Sequence, residues 1–308
     1  MRRGRRKSEE RLEASNLTKP TPTSALKAKP KPKVVGIGII GCGAIGEILA
    51  GALDKGLVGN AVLRALFDRN LAKAKALAES LEKRPFVASS FEEFLGQKAL
   101  ELVVEAASQQ AVRDYGIRIL EAGKDLMIMS VGALVDEGLF QALRAIAEGK
   151  GRKIYIPSGA IGGLDALKAA VLRRLDEVTL TVRKPPEALR DASGSLKCLG
   201  FDLESIRTPT IVFEGPASEA CRLFPSNVNV AAALSLASLG TERTKVQVMV
   251  DPSLKENVHK IFVKGEFGEF LFEAHNIPSP QKASTSYLAA LSAIATLKKI
   301  TETIIIGT

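Results

Sequence analysis

The sequence predicts an α/β protein in two parts: a doubly wound parallel sheet, then a second α+β part with a mostly antiparallel sheet. Three observations carry this. Val34 to Ile40 is an apolar, β-branched run of the kind that forms a fully buried parallel strand, and it passes directly into Gly41-Cys42-Gly43-Ala44-Ile45-Gly46. Up to Pro157, strand-like and helix-like segments alternate at βα spacing. Beyond Pro157, strand-like segments follow one another without regular crossover helices.

The glycine turn has the G-x-G-x-x-G spacing between a strand and a helix, since Glu47 to Leu53 carries helical periodicity. Gly41 allows the tight turn, Gly43 admits a pyrophosphate to the backbone, and Gly46 lets helix and strand pack. The helix N-terminus offers N–H groups and partial positive charge to phosphates. Gly41, Gly43, Ala44, Ile45 and Gly46 are therefore candidates for dinucleotide contact in a Rossmann-type sheet. The competing reading, a glycine-rich turn in some other α/β protein, loses ground at the next strand. Ala61 to Phe67 ends at Asp68, 22 residues beyond Gly46, close to where such a unit places the acid that binds the adenosine ribose hydroxyls. Asp68 favours NAD, while the adjoining Arg69 keeps NADP open by offering a partner for a 2′-phosphate. A strand-end turn or helix cap is the alternative role for Asp68.

The next segments continue the alternation. Leu71 to Leu81 is an alanine-rich amphipathic helix, Phe86 to Ser89 a short strand, and Ser90-Phe91-Glu92-Glu93 a capped helix start. Leu102 to Ala106 is a buried strand, followed by a helix through Leu120 that Gly123 stops. Asp125 to Ser130 is another strand, Glu137 to Glu148 a helix, and Lys153 to Ile156 a closing strand. Ser108 and Ser130 stand at strand C-terminal ends, where open α/β sheets bind ligands, and Ser108 is taken as a further cofactor candidate. A second glycine-rich turn, Ser158 to Asp165, leads into a helix over Ala166 to Leu175. Strands are expected at 178–183, 210–213, 244–250, 260–263 and 269–273. A long loop is expected over 187–206, a helix over Ser284 to Leu297, and a short apolar strand over 303–306. The chain thus divides into a disordered basic tail (1–33), a dinucleotide-binding domain (34–157), a substrate domain (158–283) and a closing segment (284–308) set to pack back on the first domain.

Composition bounds the remaining possibilities. A hydrophobic share of 46% with 25% charged residues suits a globular protein with a sizeable core. No apolar run approaches the ~20 residues of a membrane span. There is no N-terminal apolar region suited to secretion, and three widely separated cysteines show neither a disulfide framework nor metal-ligand spacing. A cytoplasmic setting follows as the expectation, with no metal. The net charge of +9 invites a nucleic-acid reading, but residues 1–33 hold eleven Lys or Arg against three Glu, and the rest of the chain is close to neutral. With four prolines and little apolar content, this tail reads as a solubilising extension; nucleic acid or an anionic surface would be met only there.

Five blocks beyond the glycine turn carry a resemblance to the L-aspartate dehydrogenases. They are Pro157 to Asp165 (PSGAIGGLD), Lys184-Pro185-Pro186, Phe224 to Ala231 (FPSNVNVA), Asp251-Pro252, and Asn276-Ile277-Pro278-Ser279-Pro280. The resemblance implies NAD(P)-dependent oxidation of L-aspartate to iminoaspartate, which either feeds NAD synthesis or is hydrolysed to oxaloacetate and ammonia. It further implies that His259 is the catalytic acid/base, that Ala160 lies against the cofactor, and that Asn229 contacts it at the nicotinamide end. Of the two histidines, a side chain titrating near ~6.5 suits this work; His275 is the second candidate. A dicarboxylate needs cationic or N–H partners, and Lys184, Lys282, Thr285 and Ser286 are secondary substrate candidates. Here the chain departs from the family's N-P-K-T-S pattern, reading Gln281-Lys282-Ala283-Ser284-Thr285-Ser286, with Ser284 where the family has lysine. Lys184 and Arg222 also read as solvated basic surface. That departure keeps open a related two-domain dehydrogenase of another small acid, semialdehyde or sugar, and the basic tail keeps open a cofactor-sensing or scaffold module. A homo-oligomer, taken as a dimer through the second sheet, is the expected assembly.

Overall fold

The computed structural model describes residues 34–225, 229–279 and 282–307, with backbone only at 282–284. The tail expected over 1–33 lies outside the described residues, as does the Lys282 side chain. The first part alternates as expected: β1 (Val35–Ile40), α1 (Ala44–Asp54), β2 (Ala61–Phe67), α2 (Leu71–Ser80), β3 (Phe86–Val87), α3 (Phe91–Leu95), β4 (Leu102–Glu105), α4 (Gln109–Glu121), β5 (Asp125–Ile128), α5 (Glu137–Lys150) and β6 (Ile154–Tyr155). The strands form one parallel sheet in the order β3-β2-β1-β4-β5-β6, so the order reverses between β1 and β4. In open α/β sheets that switch point is where a crevice opens for ligand.

Short polar side chains start the helices, because each accepts from an amide that the helix itself leaves without a partner. Asn70, Ser90, Ser108 and Asp136 accept from Ala72, Glu93, Ala111 and Leu139 respectively at 3.1–3.2 Å. The capping box at Ser90 is offset by one residue, since Glu93 accepts from the amide and hydroxyl of Ser89. Among the helices of this first part, α1 is the exception: Gly43 precedes it with no side-chain cap.

The second part holds α6 (Leu164–Ala170), β7 (Leu175–Lys184), α7 (Ser193–Cys198), β8 (Thr210–Pro216), α8 (Ala217–Leu223), α9 (Asn229–Leu236), β9 (Lys245–Val250), β10 (Asn257–Gly265) and β11 (Gly268–Asn276). Its sheet runs β11-β10-β7-β9-β8, antiparallel except for the parallel β7–β9 pair. One face is buried, with Val178, Leu180, Val182, Val246, Val248, Ile261 and Val263 at its centre. The other, carrying Thr179, Thr181, Met249 and Phe262, is half-buried.

Several expectations are corrected here. The helix placed over 166–175 ends at Ala170, and Leu175, buried at 3%, opens β7 instead. The stretch 187–206 is not a loop: 3₁₀ turns at Pro186–Ala192 and Leu203–Ser205 flank α7. Buried Leu189, Ala192, Leu196 and Leu203 hold it to the core, overriding the glycines that punctuate it. No strand forms over 303–306, because that segment finds no sheet edge to pair with and leaves Ile304 and Ile306 76% and 88% exposed. The expected last helix begins later, as α10 (Tyr287–Thr301), after a short pair of β12 (Pro278–Ser279) and β13 (Lys282–Ser286). It packs against the first part through Ala293 and Leu297, which are buried with Leu49 and Leu53 of α1. Thr301 at its end bonds the Val58 carbonyl.

Candidate active site

Two cavities meet the glycine turn, one at Gly41 and Gly43 and the other at Ile45. At the first, Gly41, Gly43, Asp68, Arg69, Lys73, Ser108 and Tyr115 are among the residues lining a cleft at the C-terminal ends of β1, β2 and β4. Gly41 has φ +96°, a conformation that glycine adopts at little cost and residues with a Cβ rarely adopt. A Cβ on Gly46 would stand 2.0 Å from the Gly41 carbonyl, so Gly46 is what lets α1 sit on the turn. A Cβ on Gly43 would meet nothing within 4 Å; this residue faces open space. The uncapped amides of α1 and that space together fit an anionic diphosphate. Asp68 accepts from the Cys42 amide through Oδ2 and from the Asn70 amide through Oδ1, both at 2.8 Å. Its carboxylate is thereby aimed, and each oxygen keeps acceptor capacity for a ribose hydroxyl. Asp68 therefore combines the turn role and the ligand-facing position, and Arg69 and Lys73 bring positive charge beside it.

The second cavity lies between the sheets. Ile45, Ala160, Lys184, Asn229, His259, Thr285 and Ser286 all line it, brought from α1, the second glycine turn, β7, α9, β10 and the β13–α10 junction. Gly162 in that turn lies against Phe272, to whose ring a Cβ would come within 2.4 Å, so the glycines serve packing as well as approach. Asn229 accepts from the Gly132 amide at 3.0 Å, which leaves the NH₂ end of its amide to donate to a ligand. Ser286 accepts from Asn257 Nδ2 at 3.4 Å.

His259 is 2% exposed, and burial together with the nearby Lys184 cation pushes its pKa down to about 3. The ring is therefore neutral at physiological pH. Asn276, also buried, places Nδ2 3.0 Å from His259 Nδ1 and 3.0 Å from the Ala160 carbonyl. Lys184 is 2% exposed, which overturns its reading as solvated surface, whereas Arg222 is a surface residue beside Glu219. His275 stands outside the cavity on β11, exposed between Glu256 and Glu273, whose carboxylates raise its pKa. The second histidine thus belongs to a surface ion-pair cluster.

Ala44 is the first residue of α1 and Gly46 is buried under the turn, so these two shape the site from behind. Ser108 lines the cofactor cleft while its hydroxyl caps α4. Two residues to which the sequence reading gave no site role hold the site together. One is Asn276, although it opens a family block. The other is Glu105, 1% exposed at the end of β4, which accepts from the Ala107 and Ser108 amides and from the Ser130 amide and hydroxyl at 2.8–3.0 Å. It ties the loops after β4 and β5 together beneath the cleft. Burial pushes its carboxyl above the usual range, against the pull of those four donors. A lone Glu ending an apolar strand was the only hint in the sequence. Among the described residues no group of three or more His, Cys, Asp and Glu is placed to hold a metal ion.

Comparison with known proteins meets this geometry from both ends. The family described as "Homoserine dehydrogenase, NAD binding domain" matches residues 41–157, and "Aspartate dehydrogenase, C-terminal" matches 165–300. An L-aspartate dehydrogenase of Methanosarcina barkeri is 50% identical over 272 residues, 88% of this chain and 99% of that protein. The solved aspartate dehydrogenase of Thermotoga maritima superposes with a TM-score of 0.69 at 29% identity, over 89% of this chain and all of that one. A myo-inositol dehydrogenase of Lactobacillus casei shares the fold at 15% identity, with a TM-score of 0.51 over 89% of each chain. With relatives so similar along nearly the whole of their own length, this chain belongs to the L-aspartate dehydrogenase family.

Proposed function

We propose that this protein oxidises L-aspartate to iminoaspartate with NAD or NADP, the imine then feeding NAD synthesis or being hydrolysed to oxaloacetate and ammonia. The observation that carries the reading is the convergence of His259, Lys184, Asn229, Ala160, Thr285 and Ser286 on one cavity that shares the glycine turn with the dinucleotide cleft. When bound, the dinucleotide supplies the hydride acceptor. The chain's own residues supply the rest. Gly43 and the start of α1 hold the diphosphate, Asp68 the ribose, and Ala160 and Asn229 the nicotinamide end. Lys184 gives the cavity a buried positive charge for a carboxylate, and the Thr285 and Ser286 hydroxyls stand at the same wall. The neutral His259 ring exchanges protons with the amine and the imine-attacking water.

Residues 34–157 serve as the dinucleotide-binding part, 158–283 as the substrate part, and 284–308 as the segment that returns to the first. A homodimer through the half-buried outer face of the second sheet is supported by Ile211 and Leu271, which that face leaves 44% and 58% exposed. Cys42, Cys198 and Cys221 stand as thiols rather than disulfides, which suits a reducing, cytoplasmic setting, and none of the described helices is long and apolar enough to cross a membrane. Incubation with NAD or NADP and L-aspartate, read by the absorbance of the reduced nicotinamide, tests the function; turnover of other amino acids but not of aspartate would refute the substrate.

A further inference from the structure

The geometry points to Asn276 as a positioning residue that fixes His259 in the Nε2–H tautomer by donating to Nδ1. The inference deepens the proposed role of His259 and rests on that reading for its catalytic meaning, though the tautomer itself can be measured without substrate. In the β10–β11 pair, Ala274 lies opposite His259, so Asn276, two residues on, projects from the same face as the ring. Its Nδ2 stands 3.0 Å from two atoms, His259 Nδ1 and the Ala160 carbonyl oxygen. An amide's oxygen and nitrogen exchange places by a flip, and the choice between them follows from what surrounds them. Here the surroundings decide it. A carbonyl oxygen accepts and never donates, so the atom beside Ala160 must be the NH₂. Reversing the amide would set two acceptors 3.0 Å apart inside a buried site, at the full cost of leaving both unsatisfied.

With one N–H given to Ala160, the other is directed at Nδ1, 3.0 Å away, in preference to the Ala274 carbonyl at 3.5 Å. That nitrogen must then present its lone pair, and the neutral ring carries its proton on Nε2. Nδ1 is thereby committed to the protein, and Nε2 is the atom left to serve the cavity that His259 lines. In its resting state the histidine offers the substrate a hydrogen-bond donor. Accepting a proton at Nε2 requires the opposite tautomer, Nδ1–H, which the facing amide disfavours. The same amide joins the ring to Ala160, so the proton-handling atom and the backbone proposed to flank the nicotinamide are held by one side chain. Lys184, on the neighbouring β7, is the charged group that acts on the ring.

The chain has only two histidines, which makes a direct test practical. The full-length protein is labelled with ¹⁵N-histidine, and the His259 signals are assigned by difference from a His275→Gln variant. The expected spectrum at neutral pH shows His259 with a pyridine-type Nδ1 and a protonated, pyrrole-type Nε2. A protonated Nδ1 in the wild-type protein would overturn the inference, and the one variant that this outcome needs, His275→Gln, changes only an exposed residue. Two substitutions sharpen it. Asn276→Asp, whose carboxylate accepts, should favour Nδ1–H and bring an ionisation of the ring into the pH–rate curve between about 5 and 8. Asn276→Ala should lower kcat by about tenfold or more, with the cofactor Kd within about twofold. An unchanged His259 spectrum and pH–rate curve in both variants would also refute it. Failure of wild-type protein to oxidise aspartate would instead strike the proposed substrate, because the spectrum is read without turnover.

Discussion

The two cavities that meet the glycine turn are built by different means. The cleft proposed for the dinucleotide is made largely of main chain: a left-handed Gly41, an open Gly43, the uncapped amides of α1, and Asp68 aimed by two amides. The cavity proposed for catalysis relies on buried polar side chains carried by separate strands, Lys184 on β7 and His259 on β10, with Asn276 on β11 bonded to the His259 ring. Main chain recognises phosphate through geometry that any sequence with glycines at the right spacing can adopt. A buried histidine or lysine works only if its neighbours satisfy it, because an unpartnered polar group in the interior costs about 1–3 kcal/mol. The first cavity should therefore fail in binding, and the second in turnover.

The sharpest break between them should come from His259→Ala. Turnover is expected to fall by ~10²-fold or more with the cofactor Kd nearly unchanged, as measured by steady-state kinetics beside a binding titration. Unchanged turnover would remove His259 from the reaction. In the other cavity the contrast is between neighbouring glycines. Gly43→Val places its side chain in open space and should weaken cofactor binding by roughly tenfold or more at little cost to folding. Gly46→Ala, whose Cβ would meet the Gly41 carbonyl, should lower the melting temperature. Equal effects of the two on melting would contradict the division of labour between them.

A smaller effect is expected beneath the cleft. Glu105→Gln turns an N–H donor toward one of the four groups that now donate to the carboxylate, and should cost about 1–3 kcal/mol in urea unfolding. A variant as stable as the parent would show that the two loops are held by something else. The remaining test is pH. His259 has a pKa of about 3 in the fold and an ordinary value of 6.5, so below ~6.5 the unfolded chain takes up a proton that the folded one does not. Its contribution to stability is intact above that value and declines by about 1.4 kcal/mol per pH unit as pH falls toward ~3. Asp251, whose pKa is lowered by Ser253 and Arg183 despite burial, adds a loss in the same direction at more acid pH. His259→Gln should flatten the slope between about pH 4 and 6 in denaturation curves, and an unaltered slope would place the acid sensitivity elsewhere.

Local pattern carried the first part of the fold well. Buried parallel strands need continuous apolar runs, and helices announce themselves through caps such as Ser90 and Asp136, so most boundaries in 34–157 fall within two or three residues of expectation. The second part was harder to read because its strands are amphipathic and its helices short. Residues 187–206 look like a loop until Leu189, Leu196 and Leu203 are seen to be buried. Helices α8 and α9 carried no separate signal, lying in an alanine-rich stretch between strands.

The sequence by itself determined that a dinucleotide turn opens the fold, because strand, glycines, helix and Asp68 are all local, and the family resemblance supplied Asn229 and Ala160, which two of its blocks contain, and His259, which follows Asp251-Pro252. Tertiary structure alone decided which polar residues are buried and what they face. Lys184 looks like surface in the chain and is 2% exposed in the fold. Asn276 and Ala160 are 116 residues apart in sequence, yet share a hydrogen bond beside His259. The physical reason is that spacing along a chain fixes which face a side chain takes on its own element. The partner that it meets is fixed only when separate strands and turns are packed together.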